Sequence, residues 1–138
     1  MTLESEELAV SYTITKTIEG KRFQDVVERT RAALSDEGFG VLTEIDVKNT
    51  LKKKIGAEVD DYVILGACNP SMAYQALQME PRVGAMLPCN VIVRTTPEGA
   101  VEVSAIDPVA SMQAIPNDAL KSVAAQVRAK LAKVIANI

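Results

Sequence analysis

The residues with the most chemistry in them fall between Tyr62 and Val93, where an apolar run ends in Gly66-Ala67-Cys68-Asn69-Pro70 and a second opens at Leu87-Pro88-Cys89-Asn90. Both cysteines of the chain lie here, each followed by asparagine. Asn69 precedes a proline, which pushes it out of the helical region and into the backbone state that a helix N-cap requires. Pro70 then suits the first helical position, where a missing N–H costs nothing. Cys68 is thus placed at the carboxyl end of a strand and just before a helix N-terminus, whose partial positive charge favours a thiolate. Cys89 is placed at the start of the next strand. Antiparallel pairing of these strands would bring the two cysteines to one edge of the sheet, whereas parallel pairing would put them at opposite edges.

Three kinds of chemistry fit this constellation. In the first, Cys68, Asn69, Cys89 and Asn90 surround a small-molecule ligand, and the protein is a binding or thiol-sensing module. In the second, Cys68 and Cys89 are catalytic, as nucleophile and resolving thiol of a redox or sulfur-transfer enzyme. The third is a soft-metal site, in which Cys68, Cys89, Met72 and Met86 supply the thiolate and thioether ligands that suit Cu(I). Met72, Ala76 and Met79 are more simply a core stripe, so no metal and no cofactor are expected. Free cysteines also pack as small hydrophobes, and an asparagine before a helix also serves purely as a cap, so each of these roles competes with a structural one.

Composition narrows the field. The chain has no histidine, which excludes histidine general bases, Ser-His-Asp and Cys-His arrangements, and metal sites that need imidazole. A net charge of −3 and 4% aromatic residues give no general attraction to nucleic acid. No apolar run approaches the ~18 residues of a membrane span, and the amino end, Met1 to Glu7, is acidic where a secretory signal would be basic. A cytoplasmic protein with free thiols is therefore expected, without a nucleic-acid or membrane partner. A length of 138 residues suits a single domain spanning 1–138 with a real core, residues 1–7 forming a flexible terminus.

The elements that must position the site follow from periodicity. Leu8 to Thr17 alternates as a half-buried strand, with Val10, Tyr12 and Ile14 on one face. Lys21 to Glu37 carries Phe23, Val26, Val27, Thr30, Ala33 and Leu34 at helical spacing, with Gly38 as a left-handed stop. Gly40 to Val47 alternates again, with Val41, Thr43, Ile45 and Val47 together. Lys48 to Gly56 is helical or irregular and carries Lys52-Lys53-Lys54, a solvated run. Glu44 and Asp46 share a strand face, but nothing opposes them as an acid–base pair would require. Tyr62 to Leu65 reads as an interior strand covered on both sides, and Asp60-Asp61 as the turn before it. A helix over about Ser71 to Met79 and an irregular Pro81 to Met86 come next. A hairpin joins Asn90–Thr95 to Ala100–Ile106 through Thr96-Pro97-Glu98-Gly99. Asp107-Pro108 ends that strand. Pro116-Asn117-Asp118 opens a terminal helix with an apolar stripe from Leu120 through Val123, Val127, Leu131, Val134 and Ile135 to Ile138. Strands and helices in this order indicate an α+β antiparallel sheet with helices on one face.

The cysteine motifs, with Ala73, Ala76-Leu77 and Val91-Ile92-Val93 behind them and Phe23, Leu34 and Gly38-Phe39 in front, resemble the family catalogued as domain of unknown function 302. The resemblance implies a fold of the TATA-box-binding-protein class: a curved antiparallel sheet of about five strands, with two long helices and a shorter helix packed on it. It also implies a homodimer. It implies no reaction and establishes no catalytic residue. A fold shared with a DNA-binding protein says little about function.

Overall fold

The computed structural model describes residues 11–138. Five strands form one antiparallel sheet: β1 (Thr13–Ile18), β2 (Gly40–Asp46), β3 (Tyr62–Cys68), β4 (Cys89–Thr95) and β5 (Val101–Ile106), in the order β1-β5-β4-β3-β2. Two long helices, α1 (Phe23–Asp36) and α5 (Asp118–Ala136), pack against each other and against the sheet. Three shorter ones, α2 (Val47–Ile55), α3 (Pro70–Met79) and α4 (Pro108–Ser111), and a 3-10 turn over Pro81–Met86 complete the order. The first three residues of the strand expected over Leu8 to Thr17, and the 1–7 terminus, lie outside the described residues; the described part of that strand is β1.

Alternation decides which side of each strand is dry. Val63, Leu65 and Ala67 of β3, Cys89, Val91 and Val93 of β4, and Val101, Val103 and Ala105 of β5 point to the helices and are buried. They meet Val26, Val27, Ala33 and Leu34 of α1 and Leu131, Val134 and Ile135 of α5 in one core. Thr30 sits fully buried in that core because its hydroxyl donates to the Val26 carbonyl at 2.7 Å, which removes the cost of an unpaired polar group. Lys16, on the same face at the sheet edge, donates through Nζ to the carbonyl of Ile138 at 2.9 Å, closing the carboxyl end of α5.

Two expectations are corrected by the packing. The strand from Tyr62 is interior, but among the described residues helices cover only one of its faces. On the other, Ile45, Ile64 and Ile92 stand in register across β2, β3 and β4, with Ile64 and Ile92 half-buried and Ile45 exposed. The Ser104–Thr15 hydroxyl pair continues the row at 2.8 Å. In β2 the pairing slips between Val41 and Thr43, so Val41 stays opposite Ala67 on the covered face while Thr43 faces Gly66 on the open one. Val41, Thr43 and Ile45 therefore do not share a face, because a bulge adds a residue that a simple period of two does not count. Tyr12 precedes β1 and is exposed rather than packed beside Ile14.

The same slip makes Gly66 a position that no other residue fits. A Cβ there would stand 2.3 Å from the Thr43 hydroxyl oxygen and 2.9 Å from Cγ of Pro88, and the proline ring cannot rotate away. Gly66→Ala is expected to destabilise the protein by about 1–3 kcal/mol, the range for overpacking. Urea unfolding checks it, and Thr43→Ala in the same chain should return part of the loss by removing one of the two obstacles. An unchanged unfolding midpoint for Gly66→Ala would show that the strands yield.

A second, smaller core lies beyond the sheet's end. Ala76 of α3, Val83 of the 3-10 turn, Met112 just after α4, and Leu120 and Ala124 of α5 are buried together, with Met79, Leu87 and Ile115 packed on them. Asn117 organises it, its side chain accepting from the Leu120 N–H at 3.0 Å and donating to the Met79 carbonyl at 3.2 Å. The short α4 is not legible in the sequence, because Asp107-Pro108 reads as a strand stop. Asp107 in fact caps α4 through Val109 N–H at 2.9 Å and pairs with Arg128 at 2.9 Å.

Candidate functional site

The site lies where the two cores meet. Ala67 of β3 is paired with Cys89 of β4, and Gly66 with Asn90, so the strands are antiparallel and both cysteines come to the same end of the sheet. By alternation Cys89 points with Ala67 into the covered side, and it is 7% exposed. Cys68 is the last residue of its strand, half-buried, where the chain leaves the sheet for α3. Asn69 caps that helix, its Oδ1 accepting from the Met72 N–H at 3.3 Å, and Pro70 occupies the first turn.

Behind Asn69, the end of α1 contributes. Gly38 takes a left-handed φ of +85°, Gly38 N–H donates to the Ser35 carbonyl at 3.0 Å, and Phe39 N–H donates to the Leu34 carbonyl at 2.9 Å. This pattern closes the helix and turns Phe39 inward. A Cβ on Gly38 would stand 3.3 Å from Nδ2 of Asn69, so the two motifs are in contact.

Together these elements enclose a cavity of about 40 Å³. Its floor is buried and apolar: Phe39, Ala67, Ala76, Met112, Leu120 and Ala124. Its half-buried rim is made by Cys68, Asn69, Met72, Ala73, Leu87 and Pro88. Leu87-Pro88 is a cis peptide bond. Cys89 lies in the wall, and burial, with the neighbouring Cys68 adding to it, pushes its thiol up from 9.0 to about 11. At neutral pH Cys89 is therefore a protonated thiol.

Of the four residues expected to share a site, Cys68, Asn69 and Cys89 do so. Asn90 does not: it is exposed and lies with Ile92, Arg94 and Ser104 on the open face of the sheet. Neighbours in a strand point to opposite faces, so Cys89 and Asn90 cannot both face the cavity. Met72 lines the cavity, but Met86 is 40% exposed and outside it. Met112 lines the cavity as well. No local pattern points to it, since it is distant in sequence from both cysteine motifs and arrives only through the packing of α4 on α5.

The other charged candidates are structural. Glu44 pairs with Arg31 of α1, and Asp46 caps α2 by accepting from Asn49 N–H at 2.9 Å. Lys52, Lys53 and Lys54 form the exposed last turn of α2. Among the described residues no group of three or more Cys, Asp or Glu side chains is gathered as a metal site, and no helix is long and apolar enough to cross a membrane.

No curated protein matches the chain. The crystal structure of an uncharacterized conserved protein DUF302 from Bacillus stearothermophilus is similar in fold, with a TM-score of 0.86 and 28% identity over 93% of this chain and 98% of that one. The α+β fold is thus a shared one. Since the family's model matches residues 14–138, the chain belongs to the family described as domain of unknown function DUF302.

Proposed function

We propose that the protein is a cytoplasmic, non-enzymatic module that binds a small ligand at the Cys68 thiol. The observation that carries this is the pairing of a half-buried thiol at the rim with a preformed apolar cavity behind it. Organic ligands and cofactors commonly fill clefts of ~300–1,000 Å³, so a cavity of about 40 Å³ suits an occupant of very few atoms. A thiol-dependent enzyme with Cys89 as resolving thiol is less well supported, because a thiol that titrates at about 11 offers little thiolate to attack with.

Alkylation of the native protein, followed residue by residue by mass spectrometry, tests this. Cys68 should be labelled in the folded protein and Cys89 only after unfolding. If Cys68 resists labelling until the chain unfolds, no ligand can reach it from solvent, and the proposal fails.

A homodimer belongs to the same proposal. The uncovered face with Ile45, Ile64 and Ile92 carries its charge as an internal pair, Arg94 Nε to Glu102 Oε1 at 2.8 Å. Two copies of a chain with net charge −3 would meet there without opposing like charges. Sedimentation at rising concentration should show a dimer. A monomer throughout would remove it.

A further inference from the structure

We propose a second site, separate from the cavity behind Cys68: the groove on the open face of the sheet binds a neutral, polyhydroxylated ligand of the sugar class. The groove has a volume of about 590 Å³, within the ~300–1,000 Å³ that organic ligands commonly fill. It lies over β1, β5 and β4, with Tyr62 of β3 at its border. Ile45 and Ile64, where two copies of the chain would meet, are not part of its lining.

Hydroxyl groups run across it in a row. Thr13 Oγ1 and Thr15 Oγ1 are joined at 2.9 Å, and Thr15 Oγ1 meets Ser104 Oγ at 2.8 Å. Thr15 is exposed, while Ser104 is 6% exposed, so the row leads from solvent to a buried end. Three hydroxyls carry three protons, and the two bonds between them use two. Either partner can donate in each bond, so rotation about the C–O bonds lets the row offer a ligand a donor or an acceptor. A sugar hydroxyl has the same double character, whereas a carboxylate only accepts and an ammonium only donates. The Asn90 side-chain amide, also in the lining, adds one more group of both kinds.

Charge selects in the same direction. Among the described residues that line the groove, Arg94 and Glu102 are the only charged ones, and they neutralise each other through Nε and Oε1 at 2.8 Å. That bond leaves the other guanidinium N–H groups and the second carboxylate oxygen side by side on paired positions of β4 and β5. Two adjacent ring hydroxyls can accept from the one and donate to the other. The apolar side of a sugar ring is provided for as well. Tyr12 precedes Thr13, which pairs with Ile106 at one end of the sheet, and Tyr62 pairs with Arg94 toward the other. Their rings offer C–H groups a flat surface for dispersion contact. Tyr12 is 65% exposed, so its ring contributes little to the core.

Titration of the isotope-labelled full chain with methyl glucoside, methyl galactoside and methyl mannoside, followed by amide NMR, tests the assignment. At least one glycoside should bind saturably, shifting the signals of Thr15, Asn90, Arg94 and Ser104 and leaving those of Cys68 and Ala73 in place. Tyr12→Ala removes an exposed ring, so the chain still folds, and it should weaken binding by about threefold to tenfold, the worth of one aromatic contact. Tyr74→Ala, on α3 and 64% exposed, should leave binding unchanged. The assignment is overturned if none of the three glycosides gives a saturable shift, or if Tyr12→Ala binds as well as wild type. Tighter binding of glucuronate or inorganic phosphate than of the glycosides overturns it too, since the Arg94 charge would then be free. So does an affinity that falls as sedimentation shows a dimer forming, because a second copy would then occupy the groove. Alkylation of Cys68 reads a different site, so the two proposals fail independently.

Discussion

Leu65→Ala is expected to cost about 2–5 kcal/mol of folding stability, the range for opening a cavity where a leucine was fully buried. Leu65 has no exposed surface. It lies on β3 between Glu44 of β2 and Val91 of β4, so both neighbouring backbones are held by ladder hydrogen bonds and cannot close over the missing methyl groups. Above it is the layer of α1 and α5. Ile64, the adjacent residue, provides the control. It points to the uncovered side and is only half-buried, so Ile64→Ala should cost clearly less, about half as much on the area removed from water. Urea unfolding monitored by circular dichroism measures both, with the midpoint moving and the slope unchanged if only stability is altered. Equal losses at the two positions would mean that the second face is covered after all, by a partner copy in solution.

That contrast marks where periodicity stops being informative. Val26, Val27, Thr30, Ala33 and Leu34, and the stripe from Leu120 to Ile135, are legible because a helix with one dry side repeats in sequence, and both helices are capped by residues that announce themselves, Gly38 at one end of α1 and Asn117 at the start of α5. Tyr62 to Leu65 carries apolar residues on both faces and reads as doubly covered, yet among the described residues only one face meets helices. The apolar open face has to be seen in register with Ile45 and Ile92 before it is recognised as a surface. β2 departs from simple alternation for a different reason, since a single extra residue between Val41 and Thr43 reverses the facing of everything after it.

The candidate site divides in the same way. Cys68, Asn69 and Pro70 could be placed from local chemistry, because a strand end, a cap and a first-turn proline are properties of adjacent residues. Cys89, opposite Ala67 on the neighbouring strand, joins them because that strand is antiparallel. Asn90 follows its cysteine as Asn69 does, but the alternation of a strand puts it on the opposite face. Met112 and Phe39 entered only through the fold. Both reach the cavity because helices distant in the chain converge on it, and no spacing rule in a single sequence carries that information.

Cys89 gives the second large effect, and it appears in pH rather than in sequence. Burial, reinforced by Cys68, raises its thiol from 9.0 to about 11 in the folded protein, while in the unfolded chain the same thiol is open to water. Between these values the unfolded chain has lost a proton that the folded chain still holds. The unfolded state therefore binds fewer protons, and stability falls as pH rises through this window. The contribution is fully present below about pH 9, and the total loss by pH 11 is about 2–3 kcal/mol. Lysines and tyrosines titrate over the same range, so the informative quantity is the difference between wild type and Cys89→Ala, each unfolded by urea at several pH values under reductant. Wild type should lose stability more steeply than Cys89→Ala above pH 9, and the two should run parallel below it. Parallel curves across the whole range would show that water reaches Cys89 in the folded state. The wall of the cavity would then be wet, and Cys89 would be as available as Cys68 to a ligand or an oxidant.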